Sequence, residues 1–246
     1  MNWIFLTAVF ISFALTLGAL WAGWTHFIAP SATLTATLTA LFKDEIATVW
    51  RKPKLDLKVR LRVPDCVLMP TLVRYQLDSE ELEWRGNMYF FRLWIKNTGN
   101  RPAERVQVYV QSISYEIDGE RSAVSDFIPM NLRWANSIEP NKPTIFETLN
   151  PSMGKHCDFG SVSPTTNPTQ SPRDGMSPGQ STFNLWTEVF PSNRGHELRP
   201  GKYLLELQVA ASNVEPCTFV LSLDWSGLFE ELPQTMYSRS IKLRLI

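Results

Sequence analysis

The first 42 residues of this sequence contain no lysine, arginine, aspartate or glutamate. All 24 basic and all 24 acidic side chains therefore lie from Lys43 onward. This distribution predicts a membrane segment followed by an ordinary soluble domain. The balance of charges also gives a net charge of zero. Such a chain lacks the positive field of a dedicated nucleic-acid binder, and we expect no nucleic-acid partner.

Cysteine is scarce as well. Three widely spaced cysteines in 246 residues exclude a small disulfide-stapled domain. An odd number of them suits a reducing compartment. The hydrophobic content of 44% and the aromatic content of 12% exclude wholesale disorder, because they are sufficient for a packed core.

The uncharged segment predicts a single transmembrane anchor over residues 1–30. Residues 3–28 are rich in Phe, Leu, Ile, Ala and Trp. As a helix they would extend ~39 Å, which is enough to cross a hydrocarbon core of ~30 Å. Trp3 lies near one end and Trp24 near the other, where indole rings prefer the headgroup level. A cleaved signal peptide is the alternative, but it requires a basic start and a shorter apolar run.

The charges that flank the anchor predict its orientation. The N-terminal side offers no basic side chain, whereas Lys43, Arg51, Lys52 and Lys54 follow on the C-terminal side. Because basic residues favour the cytoplasmic side, we expect a single-pass protein of the plasma (inner) membrane with its C-terminal domain in the cytoplasm.

The segment after the anchor, residues 31–53, predicts an amphipathic linker helix. Leu34, Leu38, Leu41 and Phe42 follow the spacing of one helical face, with threonines opposite. This face is a candidate interaction surface. Three roles stay open for it: contact with the bilayer interface, packing on the domain that follows, and self-association.

After Pro53 the hydrophobic period changes from 3.6 to 2, which is typical of half-buried strands. The first alternating run consists of Leu55, Leu57, Val59, Leu61 and Val63. Further strands are predicted at residues 89–96, 105–115, 144–149, 183–190, 203–211, 218–224 and 240–246. Short strands with Gly, Pro and Asn turns and no long helical pattern predict an all-β antiparallel sandwich over residues 54–246.

Two stretches carry a family resemblance. The sequence LWIKNTGNRPAERVQVYV resembles the strand–turn–strand hairpin of bacterial immunoglobulin-like modules of the cell-adhesion-related type, and LRPGKYLLELQVAASN resembles a strand of their opposite sheet. In the second stretch Gly201, Tyr203 and Leu205 have the spacing of a tyrosine corner. The resemblance implies an immunoglobulin-like β-sandwich without the antibody-type disulfide.

Residues 160–181 predict a mobile surface insertion within this domain. They consist mainly of Ser, Thr, Pro and Gly. Such a composition offers few apolar groups to offset the entropy cost of ordering the chain.

A basic run follows the linker helix and is a candidate membrane-proximal face. It consists of Lys52, Lys54, Lys58, Arg60 and Arg62. Near a bilayer each charge contributes about 1 kcal/mol of attraction to anionic headgroups. The alternative is a solvated strand face with local salt bridges.

Patterns with catalytic potential are weak. Ser177 lies in a G-x-S-x-G sequence with His196 downstream, but the flanking sequence predicts neither the strand nor the helix that a nucleophile elbow requires. His156 and Cys157 are ligand-type neighbours, yet adjacent strand residues point to opposite faces and do not close on one ion. We therefore expect no catalytic residue, no metal and no cofactor.

These observations predict a membrane-anchored, non-catalytic interaction or scaffolding module. Its expected partners are the bilayer and another protein, with self-association through residues 31–53 as a further contact. Exposed sandwich edges and loops suit the binding of a polypeptide. The alternative is an enzyme or ligand receptor with a site around His156 and Cys157.

Overall fold

The computed structural model describes residues 52–117, 119–136, 143–169 and 173–246, together with positions 14, 17, 33, 36 and 37. The chain forms two compact units, Met1–Lys52 and Pro53–Ile246. Apart from positions 14 and 17, the predicted anchor over residues 1–30 falls outside the described residues. The predicted helix face of Leu34, Leu38, Leu41 and Phe42 also falls outside them. Within the part of the chain that is described, no helix is long and apolar enough to cross a membrane.

The regular secondary structure of the unit Pro53–Ile246 consists almost entirely of strands. They are β1 (Leu55–Lys58), β2 (Cys66–Leu77), β3 (Glu80–Asn97), β4 (Ala103–Ile117), β5 (Glu120–Ala123), β6 (Met130–Asn131), β7 (Arg133–Trp134), β8 (Phe146–Leu149), β9 (Gly154–Val162), β10 (Phe183–Leu185), β11 (Glu197–Leu198), β12 (Gly201–Ala211), β13 (Val214–Trp225) and β14 (Ile241–Leu245). A short helix, α1 (Pro233–Thr235), and a π-helical turn (Met236–Ser240) precede β14.

The strands form two antiparallel sheets. The first has the order β1-β3-β9-β10-β11, with β2 also beside β3 and β7 beside β9. The second has the order β14-β13-β12-β4-β5, with β6 and β8 beside β4. The prediction of an all-β fold with antiparallel sheets is therefore confirmed.

Both sheets contribute side chains to one hydrophobic core. Alternation places every second residue of β3 from Phe91 to Ile95, of β4 from Val106 to Val110 and of β12 from Tyr203 to Val209 in this core, since successive strand residues point to opposite faces. The predicted inward-facing residues are all buried: Leu93, Ile95, Val106, Val108, Tyr203 and Leu205. Removal of this apolar surface from water is the main force that holds the two sheets together.

Tyr203 makes the hydrogen bond that defines a tyrosine corner. Its hydroxyl donates to the backbone oxygen of Arg199 at 3.0 Å, and burial raises the pKa of the hydroxyl. The ring of Tyr115 covers Gly201, where an added Cβ would lie 2.2 Å from a ring carbon. Only glycine fits that position, which explains the Gly-x-Tyr spacing.

Two predicted strands end earlier than their patterns indicate. The alternation through Val63 predicts a continuous first strand, but β1 ends at Lys58. The backbone N–H of Cys66 donates to the oxygen of Arg62 at 2.9 Å, so the chain turns before β2 begins. Similarly, β10 ends at Leu185 rather than continuing to residue 190.

The segment predicted as a mobile insertion begins inside a strand. Residues 160–162 are the last residues of β9 and are buried. Beyond them, Ser163 and Asn167 are also buried, and the Asn167 amide donates to the Ser163 hydroxyl at 3.1 Å. The mobility of the remainder stays a prediction.

Candidate functional site

The largest feature that extends from the two sheets is a β-hairpin. Strand β3 pairs with β9 only over residues 89–96, whereas it pairs with β2 along residues 80–91. Residues 70–87 therefore form a two-stranded hairpin arm, beside which no third strand is described. The strands are joined by Asp78 and Ser79, which both have positive φ angles of 48° and 73°. Two such residues form the tight connection that matches the twist of a hairpin.

One face of the hairpin arm is apolar. Val73 lies opposite Trp84, and Tyr75 lies opposite Leu82. Directly opposed residues share a face, so these four side chains form one patch. Leu77 continues the patch at the end of the arm, where its side chain is 56% exposed. We call this patch, residues 73, 75, 77, 82 and 84, the apolar arm face.

Gly86 fixes the position of the largest side chain in the apolar arm face. The indole ring of Trp84 lies across this glycine, where an added Cβ would lie 2.2 Å from a ring carbon. Any other residue at this position would displace the ring. The indole thus lies flat along the arm.

The opposite face of the hairpin arm is charged. The guanidinium of Arg74 lies 3.2 Å from the Glu83 carboxylate, and that of Arg85 lies 3.2 Å from the same group. Hydrogen bonds from the guanidinium of Arg85, and also from Arg74, hold the pKa of Glu83 below its ordinary value against the opposing effect of desolvation. Because these groups are exposed, they contribute solubility more than stability.

The sequence does not predict the hairpin arm. Its alternation is interrupted by Pro70 and by three apolar residues in the order Val67, Leu68 and Met69. The connection Asp78-Ser79 is also not one of the glycine-containing turns that identify hairpins most clearly. The sequence signal that could identify the arm is the symmetric placement of apolar residues on the two sides of this connection. Tyr75 and Leu82 are equally far from it, and so are Val73 and Trp84.

The structure divides the predicted basic run between the first strand and the segment that follows it. Lys54 flanks β1 and Lys58 ends it, whereas Arg60 and Arg62 lie in the turn that follows. The five basic residues of the run are all exposed: Lys52, Lys54, Lys58, Arg60 and Arg62. Lys58 lies 3.7 Å from the Asp56 carboxylate. A membrane-facing role for this run stays a prediction.

Arg60 differs from the other basic residues because it reaches a buried carboxylate. Its Nε donates to Asp65 at 2.7 Å, and its second nitrogen donates at 3.3 Å. His156 Nε2 lies 3.0 Å from the same carboxylate. Burial alone would raise the pKa of Asp65, but hydrogen bonds from Arg60 and His156 outweigh it and lower the pKa.

His156 and Cys157 do not form a joint site. They are adjacent in β9 and point to opposite faces. The His156 ring packs against Trp94 with ring centroids 4.6 Å apart. The Cys157 thiol is buried and donates to the backbone oxygen of Arg133 at 3.3 Å. This arrangement is that of a core cysteine beside a half-buried histidine.

Ser177 and His196 are not arranged as a nucleophile and its base. Ser177 lies in an exposed loop between Gly175 and Gly179, without the strand and helix of a nucleophile elbow. Its backbone N–H donates a hydrogen bond to the side-chain amide oxygen of Gln180 at 2.8 Å. Among the described residues, no hydrogen bond joins Ser177 to His196. His196 is buried and stacks on Phe190.

Among the residues that the structure describes, no group of three or more His, Cys, Asp or Glu side chains is placed to hold a metal ion. The three cysteines are all described, and none forms a disulfide. Burial raises the pKa of the Cys66 thiol to about 12, which disfavours the nucleophilic thiolate.

No protein-family model, no curated protein and no solved structure matches this chain.

Proposed function

We propose that this protein is a membrane-anchored, non-catalytic interaction module that binds a protein partner through the apolar arm face. The observation that carries this proposal is the hairpin arm itself. It presents aromatic and aliphatic side chains on one face, and no third strand covers it in the described residues. Aromatic residues with low conformational entropy are favoured at the centres of protein interfaces.

The charge at the end of the arm favours a protein over a lipid surface. Asp78, Glu80 and Glu81 are exposed around the connection. Anionic headgroups repel these carboxylates, and burying them in hydrocarbon is costly. A polypeptide with apolar and basic side chains complements the apolar arm face and this acidic end together.

The membrane context of the proposal rests on the sequence. It includes an anchor over residues 1–30, a plasma (inner) membrane location with the domain in the cytoplasm, and self-association through residues 31–53. Tethering would raise the effective concentration of the domain near a membrane-bound partner. An immunoglobulin-like architecture is part of the same proposal, and the hydrogen bond between Tyr203 and Arg199 supports it.

An enzyme or receptor site around His156 and Cys157 has less support. The two side chains lie on opposite faces of β9, and the thiol is fully buried. We accordingly expect that alanine at either position leaves function unchanged wherever the protein still folds.

Site-specific photocrosslinking of the intact membrane protein tests the proposal. A photoreactive residue is placed at Tyr75 on the apolar arm face, or at Arg74 on the opposite face as a control. We expect a polypeptide adduct from position 75 and little from position 74. The Trp84→Ala variant should lose this adduct because it removes the largest apolar side chain, whereas Arg85→Ala should retain it.

Three outcomes would contradict the proposal. Adducts from both faces in equal yield would indicate non-specific contact. Adducts with lipid alone would indicate a membrane-binding arm. An adduct that persists unchanged in Trp84→Ala would remove the apolar arm face from the interface.

A further inference from the structure

A second surface with the features of a binding site shares no residue with the hairpin arm. It is a cleft of about 550 Å³ beside the edge strand β5 of the second sheet and beside β11 of the first sheet. Its lining includes Ala123, the loop residue Ser177, Arg199 and Tyr203. The cleft therefore combines an exposed strand edge with polar and aromatic groups.

The register of β5 determines which backbone groups are available. Ser122 pairs with Tyr115, and the N–H of Val124 donates to the oxygen of Ile113 at 2.9 Å. Hydrogen-bonded pairs recur at every second residue of an antiparallel ladder. The backbone N–H and C=O of Ala123 therefore point away from β4. The described strands include none that pairs with this edge.

Most charged groups of the cleft are already paired. The Arg173 guanidinium donates to the Asp126 carboxylate at 2.9 Å, and Glu197 accepts a hydrogen bond from Arg194 at 2.9 Å. Hydrogen bonding to Arg173, against a smaller effect of burial, lowers the pKa of Asp126, which keeps this pair charged. Arg199 is exposed and makes no close ion pair with any described residue, although its charge also contributes to the lowered pKa of Asp126.

We infer that this cleft binds an extended peptide segment whose backbone adds to the edge of β5 at Ala123 and whose carboxylate pairs with Arg199. Strand addition supplies backbone hydrogen bonds, and an unpaired guanidinium supplies selectivity for a carboxylate. The inference shares with the proposed function only the premise that the domain binds polypeptides. It involves different residues and different strands.

The chemistry of the cleft favours this ligand over two simpler ones. A free anion would meet one available cation and leave the strand edge unused. A neutral peptide would use the strand edge but leave the Arg199 guanidinium without a partner. An extended peptide with a carboxylate satisfies both groups at once.

Fluorescence anisotropy with the full chain in detergent micelles tests this inference. The probe is a labelled peptide of about seven residues, with alternating threonine and valine, a central aspartate and an amidated C-terminus. Its control has asparagine in place of aspartate. A third peptide has asparagine and a free C-terminus, which separates a side-chain carboxylate from a terminal one. We expect binding of one or both carboxylate peptides and weaker binding of the amidated asparagine peptide.

Two variants locate the binding. Arg199→Ala should weaken binding of the carboxylate peptide about tenfold or more. Arg121→Ala is the control and should not weaken binding, because Arg121 lies on β5 with Ala123 but does not line the cleft. Ala123→Pro removes an N–H that points away from β4, so the ladder to β4 should persist while peptide binding is lost. Circular dichroism verifies that each variant remains folded.

The inference is overturned if no carboxylate peptide binds, or if the asparagine control with the amidated end binds equally well. It is also overturned if Arg199→Ala has no effect. The Trp84→Ala variant makes the two proposals separable. It should bind the carboxylate peptide normally even though it loses the partner of the hairpin arm, so that either proposal can fail alone.

Discussion

The Nε2 atom of His156 lies 3.0 Å from the buried Oδ1 atom of Asp65, and this contact joins the first part of β9 to the residue that precedes β2. Asp65 also accepts hydrogen bonds from Arg60, and its backbone oxygen accepts the N–H of Arg92 at 2.7 Å. One aspartate therefore connects the turn after β1, the central strand β3 and β9. This makes it the structural support of the hairpin arm.

Substitution of Asp65 should destabilise the protein. In Asp65→Ala the guanidinium and the imidazole lose their buried acceptor, and we expect the free energy of unfolding to fall by about 1–3 kcal/mol. Chemical denaturation of the full chain in mild detergent measures this change. Asp56→Ala is the matched control, because its contact with Lys58 is exposed and should contribute little. Equal losses in both variants would contradict this view of Asp65.

The same carboxylate should produce an acid-sensitive contribution to stability. Its pKa in the folded protein lies below the ordinary value of 3.8, so the folded state binds its proton less readily than the unfolded state. The stabilising contribution is fully present above that value and is lost as the pH falls through the lower, folded-state pKa. The stability difference between the wild type and Asp65→Asn should therefore narrow in strong acid. If the stability difference between the wild type and Asp65→Asn did not change with pH, the ionisation of Asp65 would not be linked to folding.

His196 should confer a second pH dependence in a higher range. Burial lowers its pKa below the ordinary 6.5, since the charged ring is disfavoured inside the protein. The contribution of His196 to stability is then fully present above the ordinary pKa, which applies to the unfolded state. It is lost as the pH falls from that pKa to the lower pKa of the folded state. The unfolding midpoint of the wild type should decrease relative to that of His196→Phe between about pH 7.5 and about pH 5. Parallel curves for the two proteins would show that His196 does not contribute.

The register of β4 and β12 can be tested by two substitutions. Leu205 is fully buried, and Leu205→Ala should lower the free energy of unfolding by about 2–5 kcal/mol because it creates a cavity. Gln107 occupies the alternate position of β4, and Gln107→Ala should change stability only slightly. A thermal unfolding series of the full chain compares them. Similar losses would mean that the assigned faces are wrong.

The sequence predicts the parts of the fold in which side-chain alternation and burial agree. Leu55 and Leu57 alternate with polar residues and are buried, as the period of two indicates. Tyr203 is another such case, because its spacing from Gly201 reflects a hydrogen bond and a close ring contact that are both local. Such local geometry can be predicted because it depends only on residues that are close together in the sequence.

The features that the sequence does not predict depend on contacts between distant residues. The alternation after Lys58 continues to Val63, but the chain turns there and brings Asp65 to Arg60 and His156. Nothing in the sequence near Asp65 indicates that a residue 91 positions later completes its environment. The hairpin arm is missed for a local reason instead, because Pro70 interrupts its alternation and Asp78-Ser79 is not a glycine-containing turn.

The support at Asp65 has a mechanical consequence for the hairpin arm. The chain enters β2 directly after a residue that is tied to three separate segments, so the start of β2 is held in place. A load applied near Asp78 would flex the two strands along their length instead of pivoting them at the sheet. Force from a bound partner would therefore pass as shear into β3 and β9, the strands at the centre of the first sheet.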